Sequence, residues 1–280
     1  MKIMNLKDSH IDLSKIRQVS YRTDDKIEFK TKELIPITSD VMFKALFQRE
    51  ENIKFPCKLL SYILDISYEE LLDNLKFTKT ETGKKHKDEL SYRQDLVVSL
   101  DDVTINIEMN NNSNEEIRER NISYLMRLRD DKKTKQYHQV IQINLNNYCY
   151  KDDLSTRRDY CFVDHDQNIL TNKMVIIDIY LPNIKKKSYN KDTLSEMEKF
   201  LLIGLEENPK KALEYVGDDV IMKELNNRIS EFCLSDDLRE SSDKEWALKD
   251  QAKREGFVDG KREGFEEGKR ESESKLITQF

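Results

Sequence analysis

Cysteine and histidine are scarce and scattered in this sequence. Four residues of each type are spread over 280 positions, and no two cysteines stand in a CxxC pair. Zinc centres need closely spaced cysteine and histidine ligands, so neither a zinc finger nor a histidine-based metal centre is expected. We interpret the cysteines as reduced side chains that pack as small hydrophobic groups.

Long hydrophobic runs are also missing. No segment approaches the roughly 20 apolar residues that a membrane-spanning helix needs, and residues 1–8 lack the apolar centre of a signal peptide. We therefore expect a cytoplasmic protein that does not contact membranes. Because the net charge is −6, the whole molecule is not a general electrostatic binder of nucleic acid, and phosphate binding would need a local basic surface.

Hydrophobic residues make up 37% of the chain and charged residues 36%, which is enough for a core beneath a highly charged surface. The spacing of the apolar residues changes from helical to alternating and back, which predicts an α/β (α+β) fold. In chain order, we predict helices at 41–47, 52–64 and 67–74; strands at 76–81, 92–100 and 103–110; a helix at 113–128; strands at 139–145, 160–163 and 174–181; and helices at 194–205, 209–216 and 219–233.

The C-terminal end carries a short charged repeat. Three copies that begin with Lys-Arg-Glu start at residues 253, 261 and 269, and four of the seven glycines lie here at a spacing of four. On a helix these glycines would form one row, but each costs about 0.8–1 kcal/mol relative to alanine. The tail is therefore either a helix that needs a partner or a frayed, solvated segment.

The second and third predicted strands are joined by two aspartates, which predicts a tight hairpin. A two-residue turn there places Asp95 directly opposite Glu108, and Arg93 opposite Asn110. The apolar residues of both strands alternate, so they share one face of the hairpin while the two carboxylates share the other.

Two carboxylates directly opposed on a sheet repel each other. A divalent cation held by Asp95 and Glu108 would offset the repulsion, and oxygen ligands of this kind suit Mg²⁺ or Mn²⁺. Such a cation could bind a phosphodiester, activate a water and stabilise the leaving oxygen. The alternative is an exposed polar face on which Arg93 neutralises the pair, and the spacing alone favours this alternative.

Three motifs in this order resemble the PD-(D/E)XK nuclease superfamily, and more specifically its transposase-like, recombination-promoting nucleases. Residues 38–47 (TSDVMFKALF) resemble that family's opening D-x-x-F-K helix. Residues 93–97 (RQDLV) resemble its R-x-D-V/L strand, and residues 105–110 (INIEMN) resemble its N-I-E-x-Q strand. A helix bearing Arg120 and Tyr124 follows, and the resemblance runs from about residue 36 to residue 145.

The resemblance implies a restriction-endonuclease-like core, in which helices flank a central mixed sheet, followed by a helical C-terminal region. We accordingly divide the chain into an N-terminal arm (1–35), a nuclease-like core (36–190), a helical region (191–250) and a charged glycine-repeat tail (251–280).

The resemblance also implies roles for individual residues. Asp95 and Glu108 would bind Mg²⁺ or Mn²⁺, with the backbone carbonyl of Met109 as a third ligand. Asp40 would approach from the first helix, either as an outer metal ligand or as a structural cap. Asn110 stands where the superfamily has lysine and this family usually has glutamine. Asparagine can hydrogen-bond a water in the catalytic site but brings no charge.

A positive charge beside Asn110 would come from Arg93, its predicted cross-strand neighbour, or from Arg120. Without such a charge the site would be catalytically weak or inactive. The side chains expected to contact nucleic acid are Arg93, Lys44, Arg120, Tyr124, Lys84 and Lys85.

The resemblance implies a Mg²⁺-dependent DNA endonuclease. Low sequence specificity is expected, because the sequence shows no helix-turn-helix or zinc-finger recognition module. Cutting both strands would require two subunits, and the C-terminal helices with the tail are the expected homodimer element. Two alternatives stay open: a catalytically degenerate nuclease fold that binds nucleic acid or protein, and an assembly protein organised by its repeat tail.

Overall fold

The computed structural model describes residues 34–78, 81–82, 92–113, 115–129, 138–150 and 152–277. Lys84, Lys85 and almost all of the predicted N-terminal arm lie outside these residues. Within them, no helix combines the length and the apolar character that crossing a membrane requires.

The helices and strands largely follow the order that the apolar spacing predicts. The helices are α1 (Asp40–Phe47), α2 (Lys54–Leu64), α3 (Tyr68–Asn74), α4 (Glu115–Arg129), α5 (Leu181–Tyr189), α6 (Glu196–Leu205), α7 (Pro209–Val216), α8 (Val220–Cys233) and α9 (Asp236–Ile277), with a short 3-10 turn at Glu50–Asn52. The strands are β1 (Lys76–Phe77), β2 (Glu81–Thr82), β3 (Tyr92–Arg93), β4 (Leu96–Leu100), β5 (Val103–Asn110), β6 (Gln139–Asn146), β7 (Arg157–Val163) and β8 (Ile169–Tyr180).

Six strands of the described chain form one mixed sheet in the order β1-β4-β5-β6-β8-β7. Strands β5, β6 and β8 run parallel, whereas β1, β4 and β7 pair antiparallel. The parallel neighbours β5 and β6 are joined through α4, since parallel strands need a long crossover connection. Strands β2 and β3 form a separate two-stranded sheet. The predicted α/β fold with a central mixed sheet and flanking helices is confirmed.

The hairpin between β4 and β5 has the predicted register. Leu100 pairs with Val103 across the turn, and the pairing continues to Leu96 with Ile107. Asp101 in the turn has a φ of 48°, a left-handed value that aspartate adopts more readily than most residues. The acidic turn is therefore compatible with a short connection that keeps the two strands in register.

One face of the sheet carries the main hydrophobic core. Alternate apolar side chains of β4, β5, β6 and β8 meet helices α1, α2, α6 and α8 there. Its buried members include Phe43, Phe55, Ile105, Ile143 and Phe200. Helices before and after residue 190 share this core, while the division of the chain into domains remains a prediction.

The opposite face of the sheet is more polar. Helix α4 packs on it through Leu125 and Leu128, which join Val97 and Val140 in a small second cluster. Several neighbouring side chains on this face are polar and buried, among them Asn106, Glu108, Gln142 and Asn144. Buried polar groups need partners, so the polar side chains of this face must hydrogen-bond one another or a ligand.

Helix α5 is absent from the sequence prediction. The strand predicted at 174–181 begins instead at Ile169 and ends at Tyr180. Pro182 lies in the first turn of α5, where the missing N–H of proline leaves no helical hydrogen bond unmade. The strand therefore ends just before Pro182, close to its predicted end, but the alternating pattern does not reveal the helix that begins there.

The charged tail continues α9 as one helix to residue 277, so the structure shows the helical alternative. Early in this helix, the Glu245 carboxylate accepts hydrogen bonds from the Asp40 N–H at 3.1 Å, the Val41 N–H at 3.4 Å and the Ser39 hydroxyl at 2.8 Å. Ser39 occupies the N-cap position of α1 but its side chain makes no capping bond. Helix α9 therefore caps α1, because a carboxylate satisfies free N–H groups at a helix N-terminus.

We expect Gly204→Ala to destabilise the protein. Gly204 of α6 lies against Ile37, and a methyl group on it would meet Ile37 Cγ2 at 2.7 Å. Because Ile37 is β-branched and buried, it cannot move aside, and the free energy of unfolding should fall by about 1–3 kcal/mol. Urea unfolding followed by circular dichroism measures this change.

Asn227→Ala, at an exposed position of α8, is the control. Exposed substitutions usually change stability by no more than about 0.5 kcal/mol, so this variant should unfold at nearly the wild-type midpoint. Equal effects of the two substitutions would contradict the close approach of α6 to Ile37.

Candidate active site

Asp95 and Glu108 lie side by side where β4 begins next to β5. The Asp95 N–H donates to Glu108 Oε1 at 3.1 Å, and the Met109 N–H donates to Asp95 Oδ2 at 2.9 Å. The backbone of each strand thus holds the carboxylate of the other strand. Glu108 is only 2% exposed, whereas Asp95 is half-buried.

The strand that the sequence predicts through Asp95 is interrupted at this residue. Strand β3 ends at Arg93, and the Asp95 N–H then bonds a side chain rather than the main chain of β5. Arg93 pairs with Glu81 in the two-stranded sheet, so its predicted pairing with Asn110 is wrong. The side chain of Arg93 lies outside the described residues.

Burial raises the pKa of both carboxyl groups. For Glu108, loss of solvent and then the neighbouring charge of Asp95 raise the pKa to about 8. For Asp95, burial again raises the pKa and the charge of Asp40 adds to the rise, while Lys44 and Arg120 oppose it. Without a cation, the pair therefore holds a proton near neutral pH, because two buried like charges are unfavourable.

Helix α1 borders the carboxylate pair along its length. At its C-terminal end, Gln48 Nε2 donates to the carbonyl oxygen of Asp95. Before its first turn, the carbonyl oxygen of Thr38 accepts a hydrogen bond from Asn111 Nδ2 at 2.7 Å, just beyond β5. These two contacts fix α1 against the hairpin, and they explain why its charged residues influence the Asp95 carboxyl group.

Asn110 lies two residues beyond Glu108, on the same face of β5. Arg120 Nη2 of α4 donates to Asn110 Oδ1 at 2.9 Å, and Asn110 Nδ2 donates to Asn146 Oδ1 at 3.0 Å. Of the two arginines considered from the sequence, the structure places Arg120 beside Asn110. The guanidinium of Arg120 lies 5.7 Å from the centre of the Tyr124 ring.

Tyr124 is largely buried beside Arg120. Its side chain is 4% exposed, and its predicted contact with nucleic acid stays a prediction. The ring supports the guanidinium of Arg120, an arrangement in which the ring face attracts the positive charge.

A buried polar ladder extends from Glu108 across the sheet, and it was not predicted from the sequence. Asn106 Nδ2 donates to Glu108 Oε1 at 3.0 Å and to Gln142 Oε1 at 2.8 Å. Gln142 Nε2 donates to Asn144 Oδ1 at 2.9 Å, and Asn144 Nδ2 donates to Asp178 Oδ1 at 2.7 Å. The sequence pattern that could have predicted this ladder is the polar residues at alternate positions of β5 and β6. The pattern is informative only when the two strands are known to be parallel neighbours.

The carboxylate pair has the donor chemistry of a site for a hard divalent cation. Mg²⁺ is usually held by one or two carboxylates together with waters and substrate phosphates. Among the described residues, no group of three or more Asp, Glu, His or Cys side chains could hold a metal ion. Asp95 and Glu108 each keep one carboxylate oxygen outside the hydrogen bonds above, so the pair fits such an ion.

Comparison with protein families gives a match over most of the chain. A family model described as PD-(D/E)XK nuclease family transposase matches residues 37–254. This span includes the mixed sheet, helices α1 to α8 and both carboxylates. Comparisons with curated proteins and with solved structures find no match. The recombination-promoting subgroup stays a prediction.

In EDTA, the protein is expected to lose stability as the pH rises. The pKa of Glu108 is about 8 in the folded protein and 4.5 as an ordinary value, so the folded state binds the proton more tightly. The stability that comes from this tighter proton binding is fully present below the pKa of Glu108 in the unfolded chain. It is lost as the pH rises through about 8. We expect the free energy of unfolding to fall by more than about 1 kcal/mol across this range, since each pKa unit is worth about 1.4 kcal/mol.

Glu108→Gln keeps the shape of the side chain and removes its titration, so it should flatten this pH dependence. Glu119→Gln, at an exposed position on α4, is the matched control and should behave as the wild type. Urea unfolding at a series of pH values measures the effect. A Glu108→Gln variant with the pH dependence of the wild type would contradict the assignment.

Proposed function

The chain belongs to the PD-(D/E)XK nuclease family transposases, and on this premise we propose that it is a Mg²⁺- or Mn²⁺-dependent endonuclease that hydrolyses DNA phosphodiester bonds with low sequence specificity. The observation that carries this proposal is the largely buried Asp95–Glu108 pair. The backbone N–H of Asp95 donates to the Glu108 carboxylate, and that of Met109 donates to the Asp95 carboxylate. A purely structural pair would gain nothing from holding two like charges in a site that raises the pKa of both.

In this proposal, Asp95 and Glu108 hold the cation, and the backbone carbonyl of Met109 is a third ligand. A cation bound there supplies an activated water and stabilises the leaving oxygen of the phosphodiester. Asp40, at the first position of α1, is an outer group whose charge acts on the Asp95 carboxyl group. Its backbone N–H is capped by Glu245, so its own carboxylate is not needed as a helix cap.

The protein's own positive charges complete the site. Arg120 donates to Asn110 and brings the charge that a lysine at that position would bring. Asn110 is held on its other side by Asn146, so its amide is oriented before any substrate binds. A preorganised donor costs no rearrangement during the reaction, which makes Asn110 suited to orient a water or a phosphate oxygen.

DNA would approach the carboxylate pair between α1 and α4, whose Lys44 and Arg120 bring positive charge to Asp95. Arg93, Lys84 and Lys85 are proposed to contact the phosphate backbone from the segment around β3. Contacts of this kind bind the backbone without selecting a sequence. We place this activity in the cytoplasm.

We further propose a homodimer formed through the C-terminal helices. One carboxylate pair cuts one strand, so cleavage of both strands requires a second copy of the site. Helix α9 continues for many residues beyond its contact with α1, and four glycines spaced by four lie in this part of the chain. Such a row permits the backbone of another helix to approach closely.

Supercoiled plasmid should be nicked or linearised in Mg²⁺ or Mn²⁺ and stay intact in EDTA. Asp95→Asn and Glu108→Gln keep the size of the side chains but remove the metal-binding charge. Each should lower the cleavage rate by at least about 100-fold, because changing even a residue behind the metal ligands usually costs 10–100-fold. Gel electrophoresis of the plasmid over time measures the rates.

Asp166→Asn, at an exposed turn between β7 and β8, is the matched control and should cleave at the wild-type rate. Cleavage that persists in both site variants would contradict the proposal. No cleavage with any cation would favour the alternative of a degenerate nuclease fold that only binds its partner.

Deletion of residues 251–280 is expected to convert a dimer into a monomer. The truncated chain keeps Glu245, so the cap on α1 is preserved while the glycine row is removed. Multi-angle light scattering measures the mass of both proteins. Deletion of residues 278–280 alone is the control, and an unchanged oligomer after the longer deletion would refute this dimer element.

A further inference from the structure

A second concave site lies on the α4 side of the sheet, separate from the carboxylate pair. It is a cavity of about 310 Å³ lined by residues of α4, β6, β7 and β8. Tyr148, Tyr160 and Phe162 contribute aromatic rings to its lining, and Ile122 and Met126 of α4 contribute apolar groups. A lining of aromatic and aliphatic groups suits a ligand with flat apolar faces.

The polar groups of this cavity include acceptors that can take further hydrogen bonds. Asp178 is 7% exposed and accepts from Asn144 Nδ2 at 2.7 Å and from the Tyr180 hydroxyl at 3.2 Å. Each carboxylate oxygen can accept more than one hydrogen bond. Asn121 is 3% exposed, and its Oδ1 accepts no hydrogen bond within the part of the chain that the structure describes. A ligand that donates N–H groups would satisfy this buried acceptor.

The cavity and the carboxylate pair lie on one row of the sheet. Glu108 is the partner of Asn144 across β5 and β6, and Asn144 is the partner of Asp178 across β6 and β8. Neighbouring strands lie about 4.8 Å apart, so Glu108 and Asp178 are separated by about 10 Å on the same face. One or two nucleotide units of a strand can span this distance.

We propose that the cavity binds the base of a nucleotide adjacent to the phosphate held at the Asp95–Glu108 pair. This inference rests on the proposed nuclease function and names a part of the substrate that the function leaves open. The aromatic rings stack on the faces of the base, as they do in proteins that bind single strands. Asp178 and Asn121 accept from its exocyclic amino group, which cytosine, adenine and guanine carry and thymine lacks.

A base in this cavity is not stacked in a duplex. Enzymes that place a base in a pocket act on single strands or extrude the nucleotide from the helix. The preferred substrate is therefore a single-stranded segment or a duplex with an unpaired nucleotide. The polar ladder from Glu108 to Asp178 joins the two sites, so the base and its phosphate are bound by one rigid sheet.

The test measures binding of short fluorescent single-stranded oligonucleotides in Ca²⁺ by anisotropy. Phe162→Ala removes a ring that is 36% exposed, and Met126→Trp fills the cavity from an exposed position of α4. Both should weaken binding of an amino-bearing oligonucleotide on the order of tenfold. Neither should affect an oligonucleotide that carries an abasic nucleotide at the bound position. Wild-type protein should bind oligo(dC) more tightly than oligo(dT).

Tyr189→Ala removes an exposed aromatic ring on α5, which is not part of the cavity, and should bind as the wild type. Wild-type affinity in both Phe162→Ala and Met126→Trp would overturn the inference, as would equal binding of oligo(dC) and oligo(dT). Plasmid cleavage is measured in parallel. If plasmid cleavage is normal but the cavity variants bind as the wild type, only this inference is wrong. If the cavity variants bind more weakly but no metal-dependent cleavage occurs, only the proposed chemistry is wrong.

Discussion

The register of the β4–β5 hairpin is the constraint on which the other polar features of the protein depend. Side chains alternate between the faces of a strand, so a slip of one residue would turn Glu108 into the hydrophobic core and Ile107 out of it. The pairing of Leu100 with Val103 prevents this slip. Strands β6 and β8 run parallel to β5, with β6 paired to β5 and β8 paired to β6, so Glu108, Asn144 and Asp178 lie in one row across the sheet. The polar residues of the three strands therefore meet on one face.

The same face holds the carboxylates of Asp95 and Glu108 close together, and the fold offsets the cost of these two neighbouring charges only in part. Backbone N–H groups stabilise both carboxylates, and Lys44 and Arg120 contribute positive charge near Asp95. The pKa of Glu108 nevertheless stays well above its ordinary value, because burial and the Asp95 charge outweigh these contacts. A proton or a cation must neutralise the remaining negative charge. Asp95 and Glu108 therefore limit stability, and they are also the groups proposed to bind the metal. Stability and chemistry are coupled here through a single pair of side chains.

Local periodicity was sufficient to predict the hairpin because its alternation is regular and its turn is short. The same kind of evidence failed for α5, because Pro182 is compatible both with the end of a strand and with the first turn of a helix. It also failed for Arg93, because the predicted strand is interrupted before Asp95 and Arg93 pairs with Glu81 instead of Asn110.

The remaining features depend on contacts between distant parts of the chain. The polar ladder requires that β5 lie beside β6, although Asn106 and Gln142 are 36 residues apart. The cap of α1 requires that Glu245 return from more than 200 residues away. A single sequence records which residues are polar but does not record which of them will become neighbours. Order, face and the register of the hairpin could therefore be predicted, whereas partners between strands that are distant in the sequence could not.

The contact of Glu245 with α1 has a mechanical consequence. Helix α9 has 42 residues, and the part beyond Glu245 extends roughly 50 Å at about 1.5 Å per residue. A rod held near one end acts as a lever, because a small rotation at the attachment becomes a large displacement at the far end. Conversely, a load on the far end produces a torque at the first turn of α1, where the charge of Asp40 acts on the Asp95 carboxyl group. The geometry of the carboxylate pair is thus mechanically linked to whatever holds the distal end of the helix.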